Sequence, residues 1–259
     1  MIRAYLVAAV VAAAVGLLAG TAQADVQHQW IEYSHGGTKL KGYLAYDDKA
    51  KGKRPAILMV HDRSGMQPHT LKNAETYARL GYVVFAADIF GYGQGILPKD
   101  VPEAAAQMAI YVKDRPLMKA RTQAGYDTLV KNPMVDASKV AFIGYCFGGM
   151  VGIDFSSTGA PLAAVIPIHG SFSDHPKGWA KNVKGKFLIL HGAEDKGYPL
   201  EKVAAEVFNE LRSANVEFQM EFFSGAGHGY SVPRSKADER ANAKSIDAAT
   251  RFLREVLGQ

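Results

Sequence analysis

Alternating strand and helix patterns along the chain predict a three-layer α/β domain with a mostly parallel central sheet. Short, continuous apolar runs fit strands buried on both faces, and helical patterns of ten or more residues lie between them. The 259 residues contain no Pro/Gly/Ser-rich linker, which favours one large domain over two small ones. With 48% hydrophobic and 21% charged residues, the composition excludes disordered, collagen-like and low-complexity classes.

In order, Gln29 to His35 and Lys39 to Tyr46 read as strands joined by Gly36-Gly37 in an antiparallel hairpin. Pro55 to His61 is a buried strand; a helical pattern from Pro68 to Leu80 stops at Gly81; Tyr82 to Asp88 is the next buried strand. Gly91 to Pro98 reads as a loop. Its Gly91-x-Gly93-x-Gly95 lacks the G-x-G-x-x-G spacing of a dinucleotide site. Helices follow near Pro102–Val112 and Arg115–Val130. Further strands are Lys139–Ile143, Leu162–Ile168, Lys186–His191 and Phe218–Phe223, with helices near Leu200–Ser213 and Lys236–Leu257. Trp30 and Trp179 read as packing residues.

Met1 to Ala24 has one charge, Arg3, an apolar stretch from Ala4 to Ala19, and a closing Ala22-Gln23-Ala24. This is the layout of a cleavable secretory signal, so cleavage after Ala24 and a periplasmic or secreted protein are expected. No Cys near the site suggests a lipid anchor, and no membrane association is expected after removal. The domain then runs from Asp25 to Gln259. Lys+Arg 30 against Asp+Glu 25 gives a net charge of +5, with both signs interspersed. The densest basic run, Lys49 to Arg54, reads as a solvated loop and not as a nucleic-acid patch. One cysteine, Cys146, excludes an internal disulfide and stands as a candidate reactive thiol.

Three loops after strands carry chemistry. Gly144-Tyr145-Cys146-Phe147-Gly148 has the G-x-nucleophile-x-G pattern between a strand and a helix. A sharp turn there needs small residues on either side and lifts the thiol to a helix N-terminus, which favours a thiolate. The Phe147 N–H is then a candidate oxyanion donor. Asp195, in His191-Gly192-Ala193-Glu194-Asp195, is preferred over Glu194 as the acid that orients a histidine. His228 sits on Gly225-Ala226-Gly227-His228-Gly229, poorly placed for core packing and well placed to reach another loop. The order Cys146, Asp195, His228 is that of nucleophile, acid and histidine in α/β-hydrolases. A fourth loop, His61-Asp62-Arg63-Ser64-Gly65, would supply the second oxyanion N–H from Arg63 and place Asp62 near the thiol. His169 ends a strand and either lines the pocket or is a satisfied structural histidine. The eight histidines show no paired metal spacing, so no metal is expected.

On these residues the chain resembles the dienelactone hydrolase family from about Thr38 to Leu257. Gly-Tyr-Cys146-Phe-Gly-Gly is diagnostic, and Ala86-Ala87-Asp88-Ile89-Phe90-Gly91 and Gly225-Ala226-Gly227-His228 also match. The resemblance implies an α/β-hydrolase fold without a large cap domain, no cofactor, and a small-molecule ester or lactone as substrate. It also implies that an acid at Asp62, where the family has Glu, modulates the thiol. The family's substrate-clamping arginines are missing from Phe90 to Lys99, and Val232 stands four residues after the histidine, with Arg234 two positions later. Arg234, with Tyr145 and Tyr230 beside the reactive loops, is expected to contact substrate. Two alternatives stay open: a broad-specificity carboxylesterase, and a non-catalytic binding protein retaining the fold.

Overall fold

The stretches on either side of Gly36-Gly37 pair as an antiparallel hairpin, β1 (Val26–His35) and β2 (Thr38–Asp47). The computed structural model describes residues 26–258; the expected leader, Met1–Ala24, lies outside the described residues. The next apolar run is β3 (Arg54–Val60), buried at every position, followed by α1 (Pro68–Ala78), β4 (Val83–Ala87), α2 (Val101–Lys113) and α3 (Arg115–Val130). Pro102 and Pro116 open the last two helices, where a missing N–H costs nothing, and Asp100 and Asp114 cap them by accepting from Glu103 and Leu117 N–H. The second half gives β5 (Val135–Tyr145), α4 (Phe147–Ser156), β6 (Ala164–Ile168) and β7 (Lys186–Gly192). It closes with α5 (Leu200–Val203), α6 (Asn209–Ser213), β8 (Phe218–Phe223) and α7 (Lys236–Leu257).

The strands form one sheet in the order β1-β2-β4-β3-β5-β6-β7-β8. The β1/β2 and β2/β4 pairs are antiparallel and all others parallel. Because side chains alternate across a strand, the two faces feed two cores. Leu58, Val60 and Phe142 pack with α3 and α4 on one face, while Ile57, Met59 and Ile143 pack with α1 and α7 on the other. No helix among the described residues is long and apolar enough to cross a membrane.

Some boundaries and details differ from the sequence reading. The expected Leu200–Ser213 helix is α5 and α6 joined through a π turn, Ala204–Phe208. Strand β5 starts four residues earlier than expected, because Val135 pairs with Arg54. Arg54 therefore leaves the solvated basic loop: it is buried, and its guanidinium donates to the Asp47 carbonyl at 2.7 Å. Trp30 stacks on Tyr92, and buried Trp179 donates Nε1–H to the Glu206 carbonyl, as packing residues do.

Candidate active site

The parallel strands end at one edge, and loops after β3, β5, β6, β7 and β8 converge there. Cys146 joins β5 directly to α4 and holds φ 53° and ψ −110°, a backbone conformation that non-glycine residues rarely adopt. The crowding explains the flanking glycines. A Cβ at Gly144 would collide with the Gly148 carbonyl, and one at Gly148 with the Val60 carbonyl of β3. The strained turn is tied down by Cys146 N–H donating to Ile168 O at 3.1 Å and by Ser171 N–H donating to Cys146 O at 3.0 Å. Phe147, the first residue of α4, has one of the N-terminal N–H groups that no intrahelical carbonyl satisfies.

His228 Nε2 stands 3.0 Å from Cys146 Sγ, and its Nδ1 donates to Asp195 Oδ2 at 2.7 Å. The other oxygen of Asp195 accepts N–H bonds from Gly197 and Tyr198, so the carboxylate orients its own loop and the imidazole at once. The structure brings Cys146, His228 and Asp195 together in one hydrogen-bonded row.

Electrostatics match that row. Burial opposes a charge on His228, but hydrogen bonds to Asp195 and Cys146, with attraction to both, outweigh it and push the imidazole up to about 10. Burial likewise opposes ionisation of Asp195, yet the His228 hydrogen bond and charge, aided by His191 and the Tyr198 N–H, hold the carboxyl below its ordinary range.

The loop after β3 lies on the other side of β5. His61 is fully buried; Ile89 N–H donates to its Nε2, so Nδ1 carries the proton and donates to the Asp62 carbonyl at 2.7 Å. Burial keeps the ring neutral. With its carbonyl gripped, the trans Asp62–Arg63 peptide turns the Arg63 N–H the opposite way. Asp62 differs from expectation. Its oxygens are engaged by His69 Nε2 at 2.9 Å and by Ser64 N–H at 2.7 Å, not by the thiol. Burial raises the Asp62 carboxyl, but the His69 and Ser64 contacts win and hold it ionised.

A cleft of about 200 Å³ opens over Sγ between Asp62, Arg63 and His69 on one side and His228, Ser231 and Arg234 on the other. Arg234 lines it, its guanidinium donating to the His228 carbonyl at 2.7 Å. Tyr145 and Tyr230 do not line it, which corrects their expected substrate contact. Tyr145 is buried at the end of β5 and faces the core beside Ile143 and Ile166, while Tyr230 turns inward and packs between His169 and Phe223. Of the two readings left open by the sequence, His169 takes the pocket-lining one, since its Nδ1 is buried without a hydrogen-bond partner among the described residues. It lines the cleft, and its Nε2 meets Ser231 Oγ at 2.6 Å. Burial and repulsion from His228 lower it to about 3, so it stays neutral. His69, Ser171 and the locking role of His61 had no sequence signal, because each acts across elements distant in the chain. Among the described residues no group of three or more His, Cys, Asp or Glu is placed to hold a metal ion.

Comparison with known proteins agrees with this architecture. The family model of the dienelactone hydrolase family matches residues 40–257. A mouse protein named carboxymethylenebutenolidase homolog is 26% identical over 242 residues, covering 91% of this chain and 95% of its own. A solved structure named m3DLH is 31% identical with a TM-score of 0.84, covering 90% of this chain and 99% of that one. A dienelactone hydrolase-like promiscuous phosphotriesterase from metagenomic libraries is 29% identical with a TM-score of 0.82, covering 89% and 98%. The chain therefore belongs to the dienelactone hydrolase family, carboxylic ester and lactone hydrolases built on an α/β-hydrolase fold without a large cap.

Proposed function

We propose that the protein cleaves a dienelactone-like or otherwise activated carboxylic ester through Cys146, His228 and Asp195, with a thioacyl-enzyme intermediate. The row from Sγ to Nε2 to Asp195, at 3.0 and 2.7 Å on a strained elbow, carries this reading. The thiolate adds to the substrate carbonyl, and the Phe147 and Arg63 N–H groups take the oxyanion. Collapse expels the alcohol oxygen, which receives its proton from His228 Nε2. Acylation also removes the negative charge on sulfur. His228 then loses one of the two interactions that hold it protonated, burial pulls it down, and the neutral ring can take a proton from the water that attacks the thioester.

Because a poor alkoxide leaves less readily than a thiolate, enol lactones and aryl esters suit this nucleophile best. Arg234, on the cleft wall, is assigned to a substrate carboxylate. Asp62, tied to His69, is assigned to holding the loop that bears the Arg63 N–H and not to gating the thiol. The Met1–Ala24 pattern supports export to the periplasm or beyond.

Hydrolysis of a short aryl ester and of a dienelactone by the reduced protein, beside Cys146→Ala, tests the proposal. Turnover that disappears in the variant is expected. Full activity in Cys146→Ala would remove the nucleophile assignment, and a dominant aryl ester would favour the broad-carboxylesterase alternative. No turnover by reduced protein would favour the binding-protein alternative.

A further inference from the structure

We infer that the enzyme carries an acyl-chain subsite outside the catalytic cleft, running over the β3 and β4 loops onto α2, and that its substrates are esters with an extended, partly apolar acyl group. The inference rests on the hydrolytic reading of Cys146 above.

The cleft over Sγ holds about 200 Å³, less than either hollow beside it. A second groove of about 360 Å³ shares Arg63, Ser64 and His69 with it and continues past Pro98 to Val101 and Ala104. A third hollow shares Pro98 and Lys99 with the second and reaches Ile96 and Ile110. Side by side they form a row of hollows leading away from the thiol, a track whose outer part mixes Lys99, Asp100, Glu103 and Gln107 with apolar Ile96, Pro98, Val101, Ala104 and Ile110.

Helix α2 shows why the far end wants an occupant. Its sequence, Val101 to Lys113, is rich in apolar residues, yet only Ala104 and Tyr111 are buried. Val101 is 59% exposed and Ile110 48% exposed, and both border the track. Scattered apolar residues need no explanation, but here they line hollows that adjoin the nucleophile's cleft through shared residues.

Sheet order decides which half of the substrate lies there. The tetrahedral carbon on Sγ bears an oxyanion, a leaving oxygen and an acyl substituent. The oxyanion belongs to the Phe147 and Arg63 N–H groups, and the leaving oxygen must face His228 to receive its proton. His228 comes from the β8 side of β5, whereas the track runs to the opposite side, over β3 and then β4. The acyl substituent is the group left to occupy it.

The test is a series of aryl esters of one phenol with acyl chains from acetyl to octanoyl, and a matched acetate series with lengthening alcohols. With the parent enzyme, kcat/KM is expected to rise about twofold to fourfold per methylene along the acyl series and not along the alcohol series. Val101→Glu in the second hollow and Ile110→Glu in the third, both exposed but on opposite sides of α2, should each lower the ratio of octanoyl to acetyl turnover. A flat or falling acyl series with acetate still hydrolysed overturns the subsite and leaves the hydrolytic reading standing. A rise on the alcohol side instead, or a ratio unmoved by both variants, also overturns it. Absence of hydrolysis of every ester by reduced protein overturns the hydrolytic reading and the subsite with it.

Discussion

Replacing Asp195 by Asn changes one atom at the centre of the proposed mechanism while keeping the local fold. The amide oxygen can still accept the Gly197 and Tyr198 N–H bonds now made by Oδ1, at 2.9 and 3.1 Å. The amide nitrogen would then face His228 Nδ1, where Oδ2 now accepts at 2.7 Å. An N–H in that position favours the tautomer with its proton on Nε2, the nitrogen 3.0 Å from sulfur that must act as base. The charge that offsets burial of the imidazolium also disappears, so His228 falls from its position near 10. Loss of tautomer and charge together is expected to lower kcat by roughly 10³–10⁴-fold, about 4–5.5 kcal/mol of transition-state stabilisation. Steady-state hydrolysis of a short aryl ester measures this, with thermal unfolding as control. A second readout is the alkaline limb of the kcat/KM pH profile: where it reports His228 losing its proton, it should move to lower pH in the variant, because the Asp195 charge that raises His228 is gone. A folded Asp195→Asn enzyme with kcat within tenfold of the parent and an unmoved alkaline limb would refute the reasoning.

Gly148→Ala drives a methyl into the Val60 carbonyl, and backbone cannot yield cheaply there; a loss of about 1–3 kcal/mol in urea unfolding is expected together with loss of turnover. His169→Phe keeps a ring beside His228 but removes the 2.6 Å bond to Ser231, which should cost about 0.5–1.5 kcal/mol and thus no more than roughly tenfold in kcat, read with its pH profile. Away from the site, buried Asp154 joins Arg115 at 2.6 Å and His175 at 2.7 Å; Asp154→Ala should cost about 3–5 kcal/mol in denaturant unfolding by stranding the guanidinium. Burial opposes the Asp154 carboxylate, but these partners hold its folded pKa below the unfolded value. Its contribution is therefore present above the unfolded carboxyl range and lost as pH falls through the lower folded value. Thermal unfolding of the parent in acid should show that decline, and Asp154→Ala should flatten it.

Much of the architecture was readable from pattern. Phe218–Phe223, Arg115–Val130 and Lys236–Leu257 occur with the boundaries that periodicity and capping residues indicate, because local chemistry alone marks those ends. Arg54 was misread as solvated, since nothing in a run of lysines marks the one residue that pairs with a neighbouring strand. Tyr145 and Tyr230 were misplaced for a related reason. Proximity in sequence to Cys146 and His228 does not say toward which face a side chain turns, and at a strand end and a tight turn the answer was the core.

By itself the sequence determined the alternation of strands and helices, the glycine-flanked elbow at Cys146, and the loops bearing Asp195 and His228. These follow from local sterics and hydrophobic period, which a short window of residues contains. Tertiary structure alone decided that Asp62 faces His69 instead of the thiol, that His61 grips the Asp62 peptide, and that β3 and β8 flank β5 on opposite sides. Those facts depend on distances between groups remote in the chain, set by strand order and the packing of two cores.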